Sequence, residues 1–124
     1  MVSPTVDRRY GVVGSVAFKA PVAAASTGNL TLSAAQTVGS VAVTTQRVLV
    51  KDQTDTTENG IYTADSGAWT RTLDFNSNYD VVNGSLVYVT AGTSATKGLW
   101  AASITDPVTI DTDAIAFVSV LATT

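Results

Sequence analysis

Three carboxylates, Asp52, Asp55 and Glu58, recur every third residue within the polar stretch KDQTDTTENG. Hard cations are held by oxygen ligands of this kind. The spacing is not that of a calcium hand, and no glycine sits mid-stretch to turn the loop. These acids therefore read as turn formers whose side chains bond the local backbone. Asp111 and Asp113 flank Thr112 ahead of the last apolar run and read as solvated turn acids. Nucleophilic chemistry has less to work with. The chain has no His and no Cys, which removes the usual general base, the commonest zinc ligand and every thiolate. Serines and threonines are plentiful, but none has a paired activator. Lys51 beside Asp52 reads as a strand-end charge, and no two acids flank an aromatic cleft as sugar cleavage would require. The stretch GVVGSV lacks the Lys-Ser/Thr ending of a phosphate loop. The expectation is a chain that is not an enzyme and holds no metal and no cofactor.

The aromatic residues offer a different chemistry. Trp69 and Trp100, with Tyr62, Tyr88 and Phe117 nearby in strand-like segments, have the flat faces on which sugars stack. Large aromatics in a small sheet protein are also core material. Two readings of Trp69 and Trp100 therefore stand, as core residues or as a glycan platform.

Composition narrows the class. A chain of 124 residues forms one domain with a modest core. Apolar residues make up 45% and charged residues 14%, which excludes a disordered polymer. Val and Thr are abundant and suit pleated strands better than helices. A net charge of −3 with seven bases is a poor match for nucleic acid. No run approaches the ~20 apolar residues of a membrane span, and MVSPTVDRRYGVV has neither the apolar centre nor the cleavage pattern of a signal peptide. No nucleic-acid and no membrane partner is expected.

Charge and pattern divide the chain in two. Residues 1–20 carry Arg8, Arg9 and Lys19 against Asp7, while acids dominate the remainder. Met1–Lys19, broken by Pro4, Gly11 and Gly14, reads as an extended arm whose apolar residues need burial on the body or on a neighbour. Residues 1–27 are taken as a docking arm and 28–124 as a β-rich body. Pro21–Gly28 offers one helical turn or nothing regular. Strand signals then recur at short intervals: Asn29–Leu32, Val38–Thr44, Arg47–Lys51, Gly60–Asp65, Ala68–Leu73, Ser85–Ala91, Lys97–Ser103, Val108–Ile110 and Ile115–Leu121. In Arg47–Lys51, Val48 and Val50 point one way and Leu49 the other. Ser66-Gly67 reads as a two-residue hairpin turn. The sum is an all-β fold of about eight short strands, an antiparallel β-sandwich or small open barrel. Leu86–Val89 and Ile115–Leu121 are apolar on both faces, which predicts burial on both sides. Either subunit contacts or the N-terminal arm would supply the second cover.

The segments GNLTLSAAQTV, RVLVKDQTDTTENGIYTADSGAWTRTLDF, GSLVYVTAGT, GLWAAS and TDAIAFVSV, in that order, resemble a module of tailed-bacteriophage virion proteins. It recurs near the start of tail fibres and in small structural proteins. The resemblance covers roughly Gly28–Val120, and its most specific run is K-x-Q-T, N-G-I-Y and G-A-W-T-R. Thr45-Gln46 stands where many relatives have Gly-Asp. What the motif implies mechanically is a stable hairpin. Asn59-Gly60 would turn with positive φ, Tyr62 and Trp69 would face each other, and Lys51 and Arg71 would pair with Asp52 or Asp65.

The resemblance implies a non-enzymatic virion component, assembled in the host cytoplasm and resident in the particle. With one module and no fibre shaft, a capsid cement or decoration protein is the expected role. A short tail fibre or tail-fibre adaptor is the alternative, and a carbohydrate-binding surface module the third. The expected partners are the major capsid protein or other virion subunits, with self-association as a homotrimer. Arg8, Arg9, Tyr10, Val13, Val16 and Phe18 of the arm would contact the shell.

Overall fold

The computed structural model describes residues 18–120. Among them nine strands follow one another: β1 Ala24–Ala25, β2 Gln36–Val38, β3 Val41–Val43, β4 Arg47–Val50, β5 Gly60–Thr63, β6 Thr70–Arg71, β7 Leu86–Val89, β8 Gly98–Ser103 and β9 Ala116–Ser119. Two 3-10 turns, Thr56–Glu58 and Leu73–Phe75, are the remaining regular elements. The fold is all-β. It has three sheets, ordered β1-β4-β5-β6, β2-β3 and β7-β8-β9, and none closes on itself.

Two-residue alternation sets the centre. In β4, Val48 and Val50 belong to one apolar cluster and Leu49 to another, as the pattern predicts. The neighbouring strands keep the same parity. Ala25, Leu49 and Ile61 face the first cluster; Ala24, Val48 and Tyr62 face the second. The four-stranded sheet is thus apolar on both faces. The first cluster joins it to Val87 and Val89 of β7 and is completed by Phe75, Val81, Val108 and Ile115. The second joins it to Val38 of β2 and Val43 of β3, with Trp69 beside them. Each fully buried Val, Leu or Phe of this kind contributes about 1.5–3 kcal/mol.

The β2–β3 hairpin corrects the expected single strand Val38–Thr44. Val38 pairs with Val41, leaving Gly39-Ser40 as a two-residue loop. Both loop residues have positive φ, +52° and +71°, the geometry that matches the twist of a tight hairpin. A Cβ at position 39 would also strike the Ala25 carbonyl.

The boundary expected after residue 27 falls inside the body instead. Phe18 bridges to Leu86 and Val22 to Val89, both in parallel. Lys19 N donates to Leu86 O at 2.8 Å and Val22 N to Tyr88 O at 2.9 Å. Two residues past Val22, β1 pairs with β4, and Ser26 N donates to Leu49 O at 2.9 Å. One segment therefore stitches the three-stranded sheet to the four-stranded one. Pro21–Ser26 holds the two-residue parallel strand Ala24–Ala25 and the Val22 bridge, and no helical turn. Ala24 and Ala25 have no exposed surface: with the sheets this close, the smallest side chain is the one that fits.

Other expected strands give way to turns. Asn29–Leu32 and Val108–Ile110 form no ladder, although Val108 is buried. The β5–β6 ladder stops at Thr63–Thr70, because the backbone beyond it bonds elsewhere. Ala34 N donates to Gly67 O and Trp69 N to Leu32 O. The second cover expected over Leu86–Val89 and Ile115–Leu121 is not supplied by the described residues. Tyr88, Val118 and Val120 are solvent-exposed.

Candidate functional site

The signature run Arg47–Leu73 supplies β4, β5 and β6 and the loop between the first two. Its side chains turn inward and bond the framework. Gln53 is buried. Its Oε1 accepts from Leu30 N at 2.7 Å while its Nε2 donates to Leu30 O at 3.0 Å. One amide side chain thus imitates a strand partner for the backbone at Leu30. Nearby, Thr54 N donates to Asn29 Oδ1 at 2.8 Å. The GNLTLS and KDQT segments are stapled together in this way.

Asn59, also buried, accepts from Gln53 N at 3.0 Å and donates to Ile115 O at 2.8 Å, tying the loop to the last strand's entry. Gly60 opens β5 with φ +156° and does not form the tight turn expected of Asn59-Gly60. Glycine is required there because a Cβ would run into the Arg71 guanidinium and the Phe75 ring. Tyr62 Oη donates to Glu58 O at 2.5 Å. Burial, the larger influence, pushes its hydroxyl above the ordinary 10.0, against the lowering charge of Arg71.

The three spaced acids are dispersed among separate turn tasks. Asp52 pairs with Lys51 at 2.9 Å, as expected. Asp55 accepts from Thr57 N at 3.1 Å and Thr57 Oγ1 at 2.6 Å, and these bonds lower its carboxyl from the ordinary 3.8. Glu58 accepts from Gln53 Nε2 at 3.0 Å. No cluster of three acids able to hold a metal ion occurs among the described residues. Arg71 pairs with Asp111 and not with Asp65.

The two tryptophans lie apart. Trp69 is 6% exposed, belongs to the second cluster, and donates its indole N–H to Ala34 O at 3.0 Å. Trp100 packs on the first cluster, donates to Thr96 O at 3.0 Å, and carries the Lys51 ammonium over its ring at 4.5 Å. They form no joint platform for a sugar. Tyr62 and Trp69 share a cluster, but they do not face each other across the hairpin as the motif implied: Arg71 stands opposite Tyr62.

Of the arm residues, Arg8, Arg9, Tyr10, Val13 and Val16 lie outside the described residues. Phe18 is described and is 55% exposed. A shallow cavity of about 350 Å³ opens between Thr105, Pro107, Asp113 and Ala114. Asp113 accepts from Thr109 N at 2.9 Å, so that carboxylate too is engaged by its own turn.

One polar centre was not legible as such. Lys19, expected as an arm cation, is buried and donates to Asp80 O. Burial lowers its ammonium from the ordinary 10.5, against the raising charges of Asp74 and Asp80. Beside it, Arg47 donates to Asp74 at 3.1 and 3.0 Å and to Ala20 O at 2.8 Å. Burial pushes the Asp74 carboxyl up. The bonds from Arg47 and Thr72 and the charges of Arg47 and Lys19 outweigh that and leave it below 3.8. A carboxylate depressed in the fold contributes stability that is complete above its unfolded value and is lost as pH falls through its folded value. Asp74→Asn should therefore lose less stability than the parent between about pH 6 and about pH 3. Urea midpoints across that range test this, and parallel curves would remove Asp74 from the acid response.

No family model, no curated protein and no solved structure matches this chain.

Proposed function

We propose that this chain is a non-enzymatic virion structural protein of a tailed bacteriophage, and specifically a capsid cement or decoration protein that binds and stabilises the shell. The observation that carries the reading is the ordered run K-x-Q-T, N-G-I-Y and G-A-W-T-R within Arg47–Leu73. Its signature side chains Gln53, Asn59, Trp69 and Arg71 bond the protein's own backbone. A motif used up in holding a scaffold belongs to a protein whose work is done by its outer surfaces. The body reads as an open sandwich. The four-stranded sheet is covered by the three-stranded sheet on one side and by the β2–β3 hairpin on the other.

Attachment is assigned to the N-terminal arm, with Arg8, Arg9 and Tyr10 orienting on a capsid subunit and the Val residues supplying apolar contact. The structure shifts the cut that tests this. Phe18 and Lys19 pair with the body, so the deletion must stop at residue 17. Removing residues 1–17 should leave the thermal midpoint within a few degrees of the parent while particle binding falls at least about tenfold. Undiminished binding would take the arm out of the mechanism. Copy number and position in purified virions test the role itself. Many copies spread over the head are expected; a handful confined to the tail would make the chain a tail-fibre adaptor.

A further inference from the structure

The β7-β8-β9 sheet has a second face that the described fold leaves open. Strand pairing fixes which side chains share it. Leu86 stands opposite Ala101, Ala101 opposite Val118, and Phe18 bridges to Leu86 at the far margin. In the next row Tyr88 stands opposite Leu99, and Val120 N donates to Leu99 O at 2.9 Å. The intervening residues Val87, Trp100 and Phe117 face the first cluster. On the open side Phe18, Tyr88, Val118 and Val120 are 55%, 45%, 51% and 43% exposed. The row beyond, Ser103 opposite Ala116, completes a face whose paired positions carry no charged side chain, with Lys97 two residues before Leu99 at its edge.

We propose that this face packs against the same face of a second copy of this chain. Charge selects the partner. The described body holds more acids than bases, and the whole chain is at −3. Two copies repel where charge meets charge, and this face is where they can meet without desolvating an ion. The same acidity disfavours an anionic lipid surface, the other large acceptor of apolar groups. Shape agrees with self-contact, because small Ala101 leaves a trough between Leu86 and Val118 into which a copy's ridge can seat. The other exposed large apolar residues, Leu73 and Tyr79, belong to the segment between β6 and β7 and not to this face.

Area sets the strength. Four strand widths of ~4.8 Å and five residues of ~3.3 Å give roughly 300 Å² of plane. A standard interface buries about 800 Å² per partner, so only weak association, with a dissociation constant on the order of 100 µM, is expected. Both ends of the described chain lie here, Phe18 in one row and Val120 in the next. Self-contact therefore gathers the starting points of the N-terminal arms. Linked arms bind more tightly than single ones, a consequence that rests on the function proposed above, whereas the self-contact does not.

Sedimentation of the full chain from about 1 to about 300 µM tests the proposal. The parent should shift from the 12.8 kDa monomer toward twice that mass. Val118→Lys and Tyr88→Lys should each weaken association at least about tenfold with the dilute-solution thermal midpoint unchanged. Tyr79→Lys, on a still more exposed residue off the face, should associate like the parent. A parent that stays monomeric throughout overturns the proposal, as does association that survives both lysines or disperses with Tyr79→Lys. If one face variant unfolds, the other decides. Particle binding is read separately. A parent that associates yet ignores particles would defeat the capsid role and leave the self-contact standing.

Discussion

Trp69→Ala is expected to lower the unfolding free energy by about 3–5 kcal/mol, a large share of the 5–15 kcal/mol or so that holds a domain. The ring fills the second cluster among Val38, Val43 and Tyr62 and is 6% exposed. It also fastens an otherwise irregular segment. Its backbone N donates to Leu32 O at 3.0 Å and its indole N–H to Ala34 O at 3.0 Å. The β2–β3 hairpin thus depends on Trp69 for both its apolar floor and its lead-in. Trp69→Phe separates the two contributions. Most of the apolar fill is retained, but the Ala34 carbonyl loses its donor, for a loss of about 1–2 kcal/mol. Urea unfolding at constant slope measures both, with Trp100 left as the fluorescent reporter. An alanine variant within about 1 kcal/mol of the parent would mean that the ring is not core.

What could be read ahead of the structure was local, and what could not was a matter of distance or of cover. The faces of β4 follow from alternation, because Val48, Leu49 and Val50 need no distant information to point alternately. The order of the signature run was equally visible. The tasks of Gln53 and Asn59 were not, since their partners Leu30 and Ile115 stand 23 and 56 residues away. Ala24 and Ala25 carry no strand preference of their own. Only the approach of two sheets selects them. Gly39-Ser40 is a good turn signal, masked by apolar residues on both sides that resemble one continuous strand. Lys19 looked like an arm cation because nothing local reveals that Asp74 and Asp80 lie beside it. The two-faced apolar strands were legible as sequence, but the source of their second cover was not. Side-chain type says which face seeks cover, and within the described chain nothing covers the outer one.

Arg71 should prove far more costly to lose than its ion-pair partner. Its side chain is 8% exposed, whereas that of Asp111 is 74% exposed. Nη1 donates to Asn59 O at 2.9 Å and Nη2 to Thr57 O at 2.8 Å, while Nε reaches Asp111 at 3.0 Å. The guanidinium also lies over the Tyr62 ring at 5.1 Å. Its main work is to satisfy two loop carbonyls, and the visible salt bridge is the lesser part. Solvent screens a pair so exposed on one side, so Asp111→Ala is expected to cost about 0–1 kcal/mol. Arg71→Met keeps the stem but strands both carbonyls, at about 1–3 kcal/mol each. Arg71→Lys should recover little, because a single ammonium cannot span the fork that reaches Thr57, Asn59 and Asp111 together. In the double variant Arg71→Met/Asp111→Ala the coupling should stay below about 1 kcal/mol. Equal losses from Asp111→Ala and Arg71→Met would reverse the assignment and make the exposed ion pair the dominant contact. With the expected inequality, the last letter of the signature run is there to close the Thr56–Glu58 turn onto β5.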